Sequence, residues 1–172
     1  MRPIWGLALP LLLSAGQDDL PANWKVNISK DGGFSVAMPG SPSEKKQAVK
    51  TATGQLNVTM LVAEGRDESL YVVSYSDFPE TDVKKETMDK RLDQARDGAV
   101  SSARGKLRSE KLIKLEDAHP GRELVVEKDG AVVAKIRIYV VKNRLYQVMV
   151  LCSRAGSSME AGIFMDSFRL NK

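Results

Sequence analysis

One histidine, His119, and one cysteine, Cys152, are the scarcest reactive side chains of this sequence, and neither has the company that catalysis requires. His119 lies in "LEDAHPGRELVVEKDG", residues 115–130. A nucleophilic triad needs a positioned serine and an orienting carboxylate around it, and no nucleophile motif is present. "HPG" joins the two strongest chain breakers ahead of a β-rich run, so His119 reads as a surface corner. One His and one Cys cannot complete a zinc shell of four side-chain ligands. The acidic stretch "EGRDE", Glu64–Glu68, lacks the oxygen-ligand spacing of a calcium loop and reads as a solvated turn. Asp18–Asp19, Asp67–Glu68 and Glu116–Asp117 are paired carboxylates, but neighbours in turns or a linker are not the cleft-bound pair that acid–base work uses. No catalytic residue, metal or cofactor is assigned, and the expectation is a protein that is not an enzyme.

Two groups of residues could bind rather than react. "RGKLRSEKLIK" carries Arg104, Lys106, Arg108, Lys111 and Lys114. Lys106 and Arg108 would share one face of a strand and could meet an anionic partner, although such charges are also a usual way to blunt a sheet edge. No aromatic residues interleave to stack bases, which argues against nucleic acid. Tyr71, Tyr75, Tyr139 and Tyr146 all lie on expected strands. They could line a small-molecule pocket between sheet and helix, or fill a core with their hydroxyls reaching outward. Cys152 follows the apolar run "LYQVMVL" and reads as a small hydrophobe.

Composition sets broad limits. The chain has 172 residues, 42% of them apolar and 28% charged, with a formal charge of +4. These values suit a globular domain, and the spread of charge does not resemble a dedicated nucleic-acid binder. "MRPIWGLALPLLLSAGQDD" opens with Arg2, runs apolar from Ile4 to Leu13, and continues with small residues, the order of a secretory signal. Cleavage after Gly16 puts Ser14 and Gly16 at the two positions that must be small. The apolar run is too short to span a bilayer. The expected organisation is a signal peptide over 1–16, a linker over 17–23 and one domain over 24–172. The expected location is the bacterial periplasm or the exterior, with no membrane span after cleavage.

The elements that would position these residues are mostly strands, because apolar residues alternate with period two. Phe34, Val36 and Met38 share one face of "GFSVAMP"; Leu56, Val58, Met60 and Val62 share one face of "QLNVTMLVAE". Residues 69–78, 135–141 and 144–152 are apolar on both faces and must be covered twice. A helix from about Asp82 to Ala103, capped by Thr81 or Asp82, offers the stripe Met88, Leu92, Ala95, Ala99 and Ala103, with Lys90, Arg91, Gln94 and Asp97 turned away. A second helix opens on the capping box Ser157–Glu160 and buries Met159, Ile163, Phe164 and Phe168. "KDG", Lys128–Gly130, and Asn143 mark hairpins that join strands near 121–127, 131–141 and 144–152 into an antiparallel meander. The fold class is α+β: an antiparallel sheet flanked by a helix on each face, an α/β/α sandwich. No Gly-rich phosphate loop is present.

"WKVNISKDGGFSVAMPGSP", "GRELVV", "RLYQVMV" after a hairpin and the ending "FMDSFRL" together resemble the PsbP-like family. That family includes extrinsic photosystem II subunits, and a Ran-binding import factor shares its fold. The resemblance implies an antiparallel sheet between helices and a small accessory protein that works by binding; it carries over no site residue. The leading expectation is therefore an exported, non-catalytic accessory protein of the cell envelope that contacts a protein partner. A carrier of a small ligand is the alternative, and a hydrolase comes last.

Overall fold

The computed structural model describes residues 20–51, 54–66, 68–80, 86–152 and 159–171. The leader, its cleavage residues Ser14 and Gly16, the helix cap at Thr81 or Asp82 and the capping serine Ser157 lie outside the described residues. Two antiparallel sheets and two helices make up the rest, an α+β fold dominated by strand.

The larger sheet has seven strands: β3 (Ser43–Thr51), β4 (Gly54–Glu64), β5 (Leu70–Asp77), β6 (Lys106–Leu115), β7 (His119–Lys128), β8 (Ala131–Val141) and β9 (Arg144–Leu151). Their order across the sheet is β3-β4-β5-β9-β8-β7-β6. The smaller sheet joins β1 (Trp24–Ser29), β2 (Phe34–Pro39) and β10 (Arg169–Leu170) in the order β1-β2-β10. Helix α1 spans Met88–Ser102 and helix α2 spans Met159–Ser167.

The meander forms as expected. Asp129 and Gly130 take φ of 52° and 80°, the left-handed pair of a tight hairpin. In the next hairpin Lys142 takes the left-handed conformation, φ 57°, rather than Asn143. The corner at His119 is displaced. The β6–β7 turn is made by Glu116 and Asp117 at φ 50° and 57°, and His119 is already paired with Leu115 as the first residue of β7. Gly121 is no breaker either. A Cβ there would stand 2.4 Å from the Ile138 carbonyl oxygen and 2.5 Å from Tyr139 Cδ1, so glycine lets two strands and a ring approach.

The central strands feed two separate cores. Tyr146, Val148 and Val150 of β9 join Tyr71, Val73 and Tyr75 of β5 in one, together with Phe34, Val36 and Met38 of β2 and Phe164, Met165 and Phe168. Leu145 of β9 and Ala134, Ile136, Ile138 and Val140 of β8 join Leu92, Ala95 and Ala99 of α1 in the other. The first core is thus covered by a helix and a small sheet together. Sequence patterning missed that sheet, because β10 is two residues long. β3 escaped as well, since "SEKKQAVKT" shows no apolar alternation.

Both helices differ in detail from expectation. α1 begins at Met88, where Thr87 is extended at ψ 156° and its hydroxyl accepts from the Lys90 N–H at 3.3 Å, a regular N-cap. Arg91 is buried instead of turned away. In α2, Met159 is 85% exposed, and Ala161, Phe164 and Met165 form the buried side.

Arginines fasten the layers. Arg122 of β7 reaches Asp93 of α1 at 2.6 Å and also binds Glu110 of β6. Burial opposes its charge, yet those carboxylates leave its pKa raised. Arg137 of β8 holds Glu123 at 2.7 Å and the Met165 carbonyl of α2 at 2.9 Å. Arg144 of β9 grips Asp77 through two bonds of 2.6 and 2.7 Å and donates to the Asp31 and Gly32 carbonyls.

The Arg144 hydrogen bonds hold the Asp77 carboxyl below its ordinary pKa, more than partial burial raises it. Stability from this pair is therefore complete above the unfolded carboxyl value, roughly pH 3.9, and is lost as pH falls through the lower folded value. Asp77→Asn should cost about 1 kcal/mol at pH 7, a figure discounted for the half-exposed carboxylate. It should also flatten the acid side of the stability curve, as read from urea midpoints between pH 7 and 2.

Candidate binding cavity

The four tyrosines are brought together, but as core. Tyr71 stands edge-on to Trp24 and Phe164, with centroids 5.1 and 5.2 Å away. Phe168 stacks on Tyr139 at 6.0 Å and meets Tyr146 edge-on at 5.5 Å. Phe34 meets Tyr75 and Tyr146 at 6.1 and 6.0 Å. Such edge-on and offset pairs are favoured by the ring quadrupoles. The hydroxyls are directed to partners: Tyr146 donates to the Gly32 carbonyl at 2.7 Å and Tyr71 to Glu160 at 3.5 Å. Burial pushes the Tyr139 and Tyr146 phenols above their ordinary pKa.

The basic run is dispersed. From Lys106 onward it forms β6, an edge strand, with Arg104 in the turn before it, and all five cations are exposed. A bulge falls between Leu107 and Ser109, so Arg108 leaves the ladder and pairs with Glu127 at 2.6 Å. Lys106 and Arg108 therefore do not share a regular strand face. Lys111 lies opposite Glu123 and Lys114 opposite Pro120, an odd step apart, which puts them on opposite faces.

A cavity of about 780 Å³ lies elsewhere, between α1 and the sheet. Its volume falls within the usual range for small-molecule sites, roughly 300–1,000 Å³. The floor is laid by β4 through Leu56, Val58 and Met60, by β9 through Leu145, Gln147 and Met149, and by Ser74 and Ser76 of β5. Gln47 and Val49 of β3 extend it, as their pairing with Val58 and Leu56 requires. The α1 wall is built from Arg91, Ala95, Gly98, Ala99 and Ser102, with Phe78 at one end. Leu56, Val58 and Met60, which sequence patterning placed on one face of β4, thus stay half-buried, because they face this space. Leu61 and Ala63, on the other face, reach the first core.

α1 packs mainly on β7 and β8, and its Gly98 borders the cavity. Gly98 has nothing within 4 Å of where a Cβ would stand. A mid-helix glycine costs about 1 kcal/mol relative to alanine, so the space is kept at some expense of helix stability.

Comparison with known proteins adds the fold. No family model matches the sequence, and no curated protein matches it. Among solved structures, the chain is similar to cyanobacterial PsbP (CyanoP) from Synechocystis sp. PCC 6803, determined in solution. The likeness covers 92% of this chain and 98% of that one, with a TM-score of 0.50 and 13% identity. The fold is PsbP-like. At that identity the likeness speaks for architecture alone, in agreement with the turn and packing motifs of the sequence.

Removing the Tyr146 hydroxyl should take one of two hydrogen bonds from the Gly32 carbonyl, which keeps its bond from Arg144, and cost about 0.5–1.5 kcal/mol. Tyr146→Phe, followed by urea denaturation, should show that loss. Binding of a small apolar probe in the α1 cavity should be unchanged.

Proposed function

We propose that this is a non-catalytic accessory binding protein, exported to the cell envelope, whose binding compartment is the cavity between α1 and β4, β5 and β9. The observation that carries the reading is the apolar floor left partly uncovered beneath a helix of small residues. The PsbP-like fold supports it, and so do the alternating cores, which we read as helical covers on opposite faces of the seven-stranded sheet. The leader supports export. No helix among the described residues is long and apolar enough to cross a membrane.

Docking of a protein partner is the second reading, favoured by the β6 edge, where Leu112 is 81% exposed among lysines. An unpaired edge strand with an outward apolar side chain can accept a strand from another chain. In a pull-down from envelope extract, Leu112→Lys should then lose a species that the unaltered protein retains.

The compartment is tested by filling it. Gly98→Leu adds a side chain into open space, and should raise helix stability by a few tenths of a kcal/mol to about 1 kcal/mol. Nile red, a neutral apolar dye, should bind the unaltered protein near one per chain and lose most of that binding in the variant. Unchanged dye binding in a folded Gly98→Leu would contradict the reading.

A further inference from the structure

We propose that the cavity takes a single-chain amphiphile with an anionic head group, and that Arg91 is the counter-ion for that head. The inference rests on the cavity being a ligand compartment and assigns the ligand's chemistry.

Arg91 is 7% exposed and forms part of the cavity wall. Its Nη1 donates to the Lys142 carbonyl at 3.0 Å, and its guanidinium carbon stands 5.4 Å over the Phe78 ring centre. Its Nη2 is buried and has no hydrogen-bond partner. A buried cation with an idle donor is costly, and more so than a neutral group. Burial accordingly holds its pKa below the ordinary guanidinium value, with Glu86 pulling the other way.

Glu86, the acid at the cavity wall, is already engaged. It accepts from Gln94 at 3.0 Å and faces Lys90 at 3.2 Å. An incoming anion could therefore satisfy Arg91 without displacing an internal ion pair. Reaching Nη2 requires the guanidinium to swing about its Lys142 bond, a side-chain adjustment of the kind common on binding.

Polar and apolar ends are segregated. Arg91 bonds to the β8–β9 turn, and Ser76 lies across from Leu145 beside that turn. From Leu145 to Met149, β9 advances roughly 13 Å along a floor that includes Met60. That layout fits a head group at the Arg91 end and a hydrocarbon tail laid over the methionines. Carboxylate and phosphate heads share the chemistry that a guanidinium recognises.

Titrating the full chain with dodecanoate, dodecyl phosphate and dodecanol by calorimetry tests the assignment. At least one anion should bind about tenfold or more tightly than the alcohol, as a charge-assisted bond permits, and the tighter anion identifies the head. Arg91→Met should erase the preference, while Arg91→Lys retains part of it. Should Arg91→Met fail to fold, the comparison of the three probes on the unaltered protein still decides. Equal binding of all three overturns the counter-ion and leaves the compartment standing. Failure of all three to bind overturns the compartment as well, whether the cavity is filled by the chain's own residues or collapses.

Discussion

Strands β8 and β9 supply apolar side chains to both faces of the large sheet, and the rest of the molecule is arranged around that requirement. A sheet that is greasy on two sides must be covered on two sides. In one core Phe34, Phe164 and Phe168 interlock with four tyrosines. In the other core α1 packs over β7 and β8, and its Gly98, Ala95 and Ala99 border the cavity. These small residues and the floor of β4, β5 and β9 border a space of about 780 Å³.

The charged network fits this division. Arg122 and Arg137 each bridge a helix to the sheet, and Arg144 bridges β9 to the loop before β2. Partly exposed ion pairs contribute modestly to stability, but multidentate arginine contacts fix geometry. Arg122 in this way ties α1 to β6 and β7. Arg91 and Arg122 each keep one buried donor without a hydrogen-bond partner, Nη2 and Nε respectively, and of the two Arg91 lines the cavity.

Much of the architecture was legible in the sequence because period-two alternation is a direct consequence of the pleat. The meander and the two-sided strands follow from it. What escaped were elements with weak patterns: β3 is polar along most of its length, and β10 consists of Arg169 and Leu170. The binding candidates fared differently, for reasons specific to each. Aromatic strand residues look alike whether they line a pocket or interlock, and here they interlock. The basic run looked continuous, but a single bulge at Arg108 split it. The cavity had two faint signals, a glycine within α1 and an arginine at position 91 beside the apolar stripe. Neither reveals a void without the sheet opposite. "HPG" misled because Gly121 serves close packing against Tyr139 and not a turn.

The binding reading turns on the opening between α1 and strands β4, β5 and β9. Methyl-resolved NMR during titration with a medium-chain amphiphile locates the opening directly. Shifts should concentrate on Leu56, Val58, Met60 and Met149, while Leu124, Val126 and Ile136 beneath the packed part of α1 stay still. Shifts confined to exposed residues such as Ile28 and Leu112, or spread evenly through both cores, would contradict the account.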